Sequence, residues 1–319
     1  MEKLKIALVG VGHLGRFHAE KLCQIPQAEL IYLIDIQEER LFEVAKNLKE
    51  KFGKTVRLER DFKKALSEVD AFVVATPTTT HYEIAKEILL SERPLFLEKP
   101  IADSLSRAEE LIKISEEKKI PLQVGYIERY QKAVKRLLER VKSPLFIEAH
   151  RLSSFAERNL DIDVVLDLMI HDLDLVCLLK KGVEIDLIHA VGAPLFSDKP
   201  DIVSARIIYR DGTTCNLTAS RISLSKQRKF RVFEKGGYYR VDTIEKSFLE
   251  IKPQPEKRDF SIEREVFPED DPLREELSSF VTSVLEKKEV SPSGKEALLP
   301  LKIAFKVKEE VEKNLRRIF

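Results

Sequence analysis

A chain of 319 residues exceeds one ordinary core and falls short of three, so two domains are expected. Lysine and arginine number 55 against 54 aspartates and glutamates, a formal net charge of +1, which leaves no global basic field for nucleic acid or an anionic membrane. No apolar run approaches the roughly 20 residues that cross a bilayer, the N-terminus lacks a signal-peptide layout, and Cys23, Cys177 and Cys215 are too scattered for a zinc cluster or disulfide framework, so a cytoplasmic setting is expected.

From Lys5 to Gly125, short apolar runs alternate with amphipathic helical stretches, the pattern of a parallel sheet covered on both faces. The runs Ile6 to Val9, Leu30 to Ile34, Val56 to Leu58, Phe72 to Ala75, Leu95 to Leu97 and Leu122 to Val124 predict a six-stranded, doubly wound Rossmann sheet. Downstream the rhythm changes. A helix is expected over 127–141, a strand over 146–152 and, after a loop, a helix over 164–179. Strand-like segments at 185–193, 202–209, 213–220, 230–233, 238–241 and 248–251 follow, separated by turn signals such as Asp211-Gly212 and Gly236-Gly237. Strands joined by tight turns predict a largely antiparallel open sheet. Helices over 274–286 and 295–316 end the chain. The expected fold is α/β, with a Rossmann domain over 1–123 and a second α/β domain over 124–319.

The first strand runs directly into Gly10-Val11-Gly12-His13-Leu14-Gly15, which opens a helix. In that context Gly10 permits the tight turn, Gly12 lets backbone approach a pyrophosphate, and Gly15 allows close packing of helix on strand. His13 and Leu14 complete the loop, whose helix N-terminus offers free amides to phosphate. Asp35 ends the second strand 20 residues past Gly15, where a carboxylate accepts hydrogen bonds from the adenosine ribose. It would repel a 2′-phosphate, and Ile36-Gln37 supply no arginine to welcome one, so NAD is expected over NADP. Thr76 and Pro77, after the fourth strand, either line the cofactor crevice or belong to a helix start capped by Thr79 or Thr80.

Glu98-Lys99-Pro100 closes the fifth strand, and in open α/β sheets ligands sit outside the carboxyl ends of strands. Taken alone, an acid–base pair before proline is usually a solvated turn. Together, the glycine fingerprint, Thr76-Pro77, Glu98-Lys99-Pro100, Gly125-Tyr126-Ile127-Glu128-Arg129 and Asp167-Leu168-Met169-Ile170-His171 resemble the Gfo/Idh/MocA oxidoreductase family, in order over nearly the whole chain. The resemblance implies an active-site Lys99 with Asp167 and His171 facing it across a cleft, Glu98 and Lys99 beside the cofactor, and an open sheet that assembles a homodimer or homotetramer. Asp167 and His171 are four apart on a predicted helix and so share a face. An imidazole that titrates near neutrality suits His171 to proton transfer; Lys99 would polarise the oxygen and Asp167 orient hydroxyls. The plainer reading makes His171 a helix histidine satisfied by Asp167 or Asp174. A regular helix could not turn Asp167, His171 and Asp172 to one ion, so no metal site is expected. Two features depart from the family pattern, Asp161-Ile162-Asp163-Val164-Val165 in place of a glycine-rich approach and Met169 in place of glycine.

Residues 163–174 and 125–130 resemble the branch of that family that oxidises UDP-linked amino sugars at the 3-hydroxyl. Such a substrate carries a diphosphate, which in a neutral protein needs local arginine forks. Arg129, Arg151 and Arg158 are the candidates, with Tyr126 on the same substrate side; the alternative for the arginines is surface ion pairing. A free sugar or polyol such as an inositol, or a regulator that binds NAD and a sugar without turnover, are the competing readings.

Overall fold

The computed structural model describes residues 3–155 and 162–318, which form two compact units. The first contains Met1–Ile127 and Asp271–Leu298. Its sheet is built from β1 (Leu4–Val9), β2 (Ala28–Ile34), β3 (Arg57–Glu59), β4 (Ala71–Val74), β5 (Leu95–Glu98) and β6 (Leu122–Gly125). The strands are all parallel, in the order β3-β2-β1-β4-β5-β6. Helices α1 (Gly15–Gln24), α2 (Glu38–Phe52), α3 (Thr78–Leu90) and α4 (Leu105–Lys118) make the crossovers. This is the Rossmann order, and every residue of β4 is buried, which is why its apolar run is continuous rather than alternating. The order reverses at β1, between β2 and β4, so the loops after β1, β2 and β4 gather at one switch point.

The second unit contains Glu128–Asp270 and Leu299–Phe319. It opens with α5 (Lys132–Arg140), β7 (Pro144–Leu152) and α6 (Ile170–Leu179). Seven strands follow: β8 (Ile185–Ala193), β9 (Ile202–Tyr209), β10 (Thr214–Ser220), β11 (Gln227–Glu234), β12 (Gly237–Asp242), β13 (Ser247–Gln254) and β14 (Asp259–Val266). The sheet order is β14-β13-β12-β11-β7-β10-β9-β8, with only the β7–β10 pair parallel. Period-two alternation puts Ile147, Ala149, Leu217 and Phe230 into the core. Glu148, His150, Thr218 and Arg231 therefore stand on the opposite face, half-buried.

Three details differ from the sequence expectation. A single division after residue 123 does not describe the units, because α7 (Pro272–Leu285) returns to the first one, where Leu277, Phe280 and Val281 join the core of Leu22, Leu33 and Phe96. The last helix, α8 (Gly294–Ile318), begins in the first unit and passes into the second at Leu299. Strand β14 was not expected: nearly all its side chains are exposed, so Phe260 and Ile262 alternate with charges without a buried face to mark them. Finally, the expected helix over 164–179 starts with a π-turn, Val165–Met169, before α6 takes up α geometry. The Asp163 carboxylate accepts the amides of Val165 and Leu166 at 2.9 and 3.1 Å, so this departing aspartate caps the segment that carries Asp167. Among the described residues, no helix is long and apolar enough to cross a membrane.

Candidate active site

The glycine loop separates internal packing from an external demand. A Cβ on Gly15 would stand 1.9 Å from the Gly10 carbonyl oxygen, and one on Gly10, whose φ is +87°, would stand 2.7 Å from that of Ala75. Both positions need glycine for the fold itself. Gly12 does not: its Cβ would meet only Arg40 Nη1, at 3.6 Å. Among the described residues nothing else comes within contact of that Cβ, so packing does not ask for glycine there and the space beside Gly12 is open. Leu14 occupies the N-cap of α1 without a side-chain cap, which leaves the first amides uncapped by side chains for an anion. Asp35 completes the cradle. Its Oδ2 accepts the Val11 amide at 2.9 Å and its Oδ1 the Gln37 amide at 2.9 Å, which aims the carboxylate at the glycine loop. His13 and Leu14 are exposed, and Arg40, which the sequence reading passed over, is the cation beside Gly12.

The loop after β4 is not capped by Thr79 or Thr80. Helix α3 starts at Thr78 with Pro77 as its N-cap, and Thr80 Oγ1 donates back to the Pro77 carbonyl at 2.8 Å. This leaves Thr76, half-buried, and Pro77, exposed, at the switch point with the glycine loop. The buried His81 joins this loop to the next. Its Nδ1 lies 2.8 Å from the Pro100 carbonyl oxygen and its Nε2 2.9 Å from that of Thr76.

Glu98 and Lys99 sit at the carboxyl end of β5, both half-buried. The Glu98 carboxylate is held by His18 Nε2 at 2.7 Å and by the Lys99 amide at 3.3 Å. Burial alone would raise its pKa; the hydrogen bond from His18, with the Lys99 cation beside it, outweighs burial and holds it below the usual carboxylate range. Tyr126, expected on the substrate side, is only 1% exposed.

In the second unit Asp167 lies in the π-turn and His171 in the first turn of α6, both half-buried. π-turns recur at functional sites, and here one sets the direction of a predicted site residue. The arginines behave differently from the expectation. Arg151 is buried, with Nε and Nη2 on Asp172 at 3.0 and 2.9 Å and Nη1 on Glu128 at 2.7 Å. Arg129 makes a similar fork to the fully buried Asp174, at 2.8 and 2.6 Å. Burial works against the Arg151 cation, but Asp172 and Glu128 outweigh it and keep the guanidinium charged. Burial lifts Asp172 above the usual carboxylate range despite Arg151. Both arginines are thus committed to their own chain in buried, not surface, ion pairs, and they brace the helix that presents Asp167 and His171. Arg158 lies outside the described residues.

The comparisons with known proteins agree with this geometry. The Gfo/Idh/MocA model, described as an oxidoreductase family with an NAD-binding Rossmann fold, matches residues 4–126. UDP-N-acetylglucosamine 3-dehydrogenase of Acidithiobacillus ferrooxidans is 33% identical over 99% of this chain and 100% of its own. A solved structure of that protein covers 98% of this chain and 99% of its own with a TM-score of 0.87 and 33% identity. Scyllo-inositol dehydrogenase from Lactobacillus casei, solved with NAD(H) and scyllo-inositol bound, shares the fold at a TM-score of 0.81, with 21% identity over 98% of each chain. With a full-length relative at that identity and the Rossmann strand order in its first unit, the chain belongs to the Gfo/Idh/MocA family of NAD-dependent oxidoreductases that act on CH–OH groups.

Proposed function

We propose that this oxidoreductase oxidises the 3-hydroxyl of a UDP-linked N-acetylated amino sugar. The observation that carries the reading is the likeness to the Acidithiobacillus enzyme, which runs through both units rather than the Rossmann unit alone. The uncapped α1 N-terminus, the open space at Gly12 and Asp35 would hold NAD, and Asp35 favours it over NADP. When bound, NAD+ accepts the hydride from the alcohol carbon. His171 takes the hydroxyl proton as that oxygen becomes a carbonyl. Lys99 donates a hydrogen bond to the same oxygen and stabilises the charge that develops on it. Asp167 accepts a hydrogen bond from a neighbouring polar group of the sugar and fixes which hydroxyl is presented. Within the second unit, Arg129 and Arg151 support the segment that carries Asp167 and His171 instead of gripping the diphosphate, because Asp174, Asp172 and Glu128 hold their guanidiniums.

The sheet face of the second unit that carries Leu187, Val191, Ser204 and Arg206 is exposed in the single chain, and a second copy of the chain is its proposed cover, giving a homodimer or homotetramer. The test of function is NAD+ reduction with UDP-N-acetylglucosamine beside free N-acetylglucosamine and myo-inositol. Turnover of the nucleotide sugar alone is the expected result. Good turnover of the polyol, with no reaction or competition by the nucleotide sugar, refutes the substrate; tight binding of NADH and the sugar without turnover by any of the three points to a regulator.

A further inference from the structure

His18 lies on the inner face of α1, three residues past Gly15, and is 1% exposed. Its Nε2 is 2.7 Å from Glu98 Oε1, and its ring stands edge-on to Phe96 with centroids 5.6 Å apart. Among the described residues, its Nδ1 has no hydrogen-bond partner. An ionised carboxylate only accepts, so Nε2 carries the proton. A second proton on Nδ1 would bury an unsatisfied N–H; a single proton leaves only a lone pair against apolar surroundings. The geometry therefore makes His18 a one-directional donor to Glu98.

Glu98 is confined on two further sides. Its Oε2 takes the Lys99 amide at 3.3 Å. On the other side lies β6, where a Cβ at Gly125 would come within 3.1 to 3.2 Å of Cδ and both carboxyl oxygens. The glycine that opens the Gly125-Tyr126 motif is thus the seat of this carboxylate. Glu98 and Phe96 are two apart on β5 and share the face that His18 packs against.

We propose that His18 is a positioning residue: its Nε2–H anchors Glu98, and Glu98, through the Lys99 amide and the shared backbone, fixes the direction in which Lys99 leaves the strand. The inference rests on Lys99 acting in the reaction as proposed above. Removing the donor leaves the Glu98 carboxylate short of a charge-assisted bond, so it either takes up a proton, which makes it a weaker acceptor for the Lys99 amide, or turns away, which leaves that amide without it.

The experiment compares His18→Leu, His18→Gln, Glu98→Gln and Lys99→Ala, with UDP-N-acetylglucosamine as substrate, NADH affinity by fluorescence and thermal midpoints alongside. In His18→Leu, kcat is expected to fall about 30-fold, short of the roughly 100-fold loss of a full ångström misplacement, while KM for the sugar moves little. His18→Gln, which keeps an N–H donor, recovers most of that loss. Infrared difference spectra, with the band assigned by Glu98→Gln, supply a readout that needs no substrate: Glu98 is ionised near neutral pH in the unmodified protein and in His18→Gln, and protonated or shifted in His18→Leu. An unchanged carboxylate band with kcat within twofold in His18→Leu overturns the proposal, as does a loss that glutamine fails to rescue. If His18→Leu does not fold, the folded His18→Gln decides: its carboxylate band must stay that of the unmodified protein. Turnover that survives in Lys99→Ala refutes the role of Lys99 instead, which keeps the two failures distinct.

Discussion

The glycine loop gives the cleanest separation of folding from function, because two of its glycines are three residues apart and have opposite reasons to exist. In Gly15→Ala the new methyl would lie 1.9 Å from the Gly10 carbonyl oxygen, far inside any contact distance, so α1 must move off β1. Overpacking costs about 1–3 kcal/mol even in milder cases, and a clash with rigid backbone belongs at or above the top of that range. In Gly12→Ala the methyl meets only Arg40 Nη1 at 3.6 Å, an ordinary contact with the end of a flexible side chain. Its folding stability should change by no more than about 0.5 kcal/mol. NADH affinity should fall about 10- to 100-fold, since a blocked approach forfeits one hydrogen bond to a charged phosphate, about 1.5–3 kcal/mol, at about 1.4 kcal/mol per tenfold. Urea unfolding and NADH fluorescence titration measure the two quantities. A Gly12→Ala protein that binds NADH as the parent does would refute the phosphate cradle, and one that unfolds as readily as Gly15→Ala would refute the packing argument.

Other predictions follow from buried charges. Arg151→Ala leaves Glu128 and Asp172 uncompensated and should cost about 3–5 kcal/mol by chemical denaturation, whereas combining it with Glu128→Gln and Asp172→Asn should restore part of the loss. Asp201 is fully buried, and although burial pushes its carboxyl up, the amides of Phe196 and Leu195, then Arg221 and Ser197, hold it well below the carboxylate range. A depressed folded-state pKa means that the unfolded chain binds the proton first as pH falls, so this contribution is complete above about pH 4 and lost below it. Asp201→Asn should accordingly flatten the acid limb of stability against pH; an unchanged limb contradicts this. Asp35→Ala should narrow the preference for NADH over NADPH, measured as a ratio of dissociation constants, and equal affinities in the unmodified protein would remove the premise. His81→Ala, which frees the carbonyls of Thr76 and Pro100 from their shared ring, should weaken NADH binding with both Lys99 and Asp35 in place.

Much of the first unit was legible because the signals there are local. Strands buried on both faces show as unbroken apolar runs, and the fingerprint and Asp35 are related by spacing that the βαβ unit imposes. The second unit's strands were legible from turns such as Asp211-Gly212, where Gly212 takes a φ of +88°. What escaped depends on contacts distant in sequence. Arg129 meets Asp174 across 45 residues and Arg151 meets Asp172 across 21, and an arginine on a strand or first turn carries no mark of a buried partner. Repetition on α1 did offer a signal for His18, which shares its face with Gly15, Ala19 and Leu22; its partner, 80 residues away, had none. Likewise α7 reads as an ordinary amphipathic helix, and its distant contacts, among them Leu277 and Val281 in the core and the ring contact of Phe280 with Phe96, show which core it serves.

The central claim is hydride transfer from a sugar carbon to NAD+, and isotopic labelling tests it most directly. UDP-N-acetylglucosamine carrying deuterium at C3 is incubated with the protein and NAD+, and the reduced cofactor is weighed by mass spectrometry. The account predicts NADH one mass unit heavier, with no such gain from substrate deuterated at C4, and loss of the signal in Lys99→Ala. Unlabelled NADH from the C3-deuterated sugar, or no reduction of NAD+ at all, would contradict it.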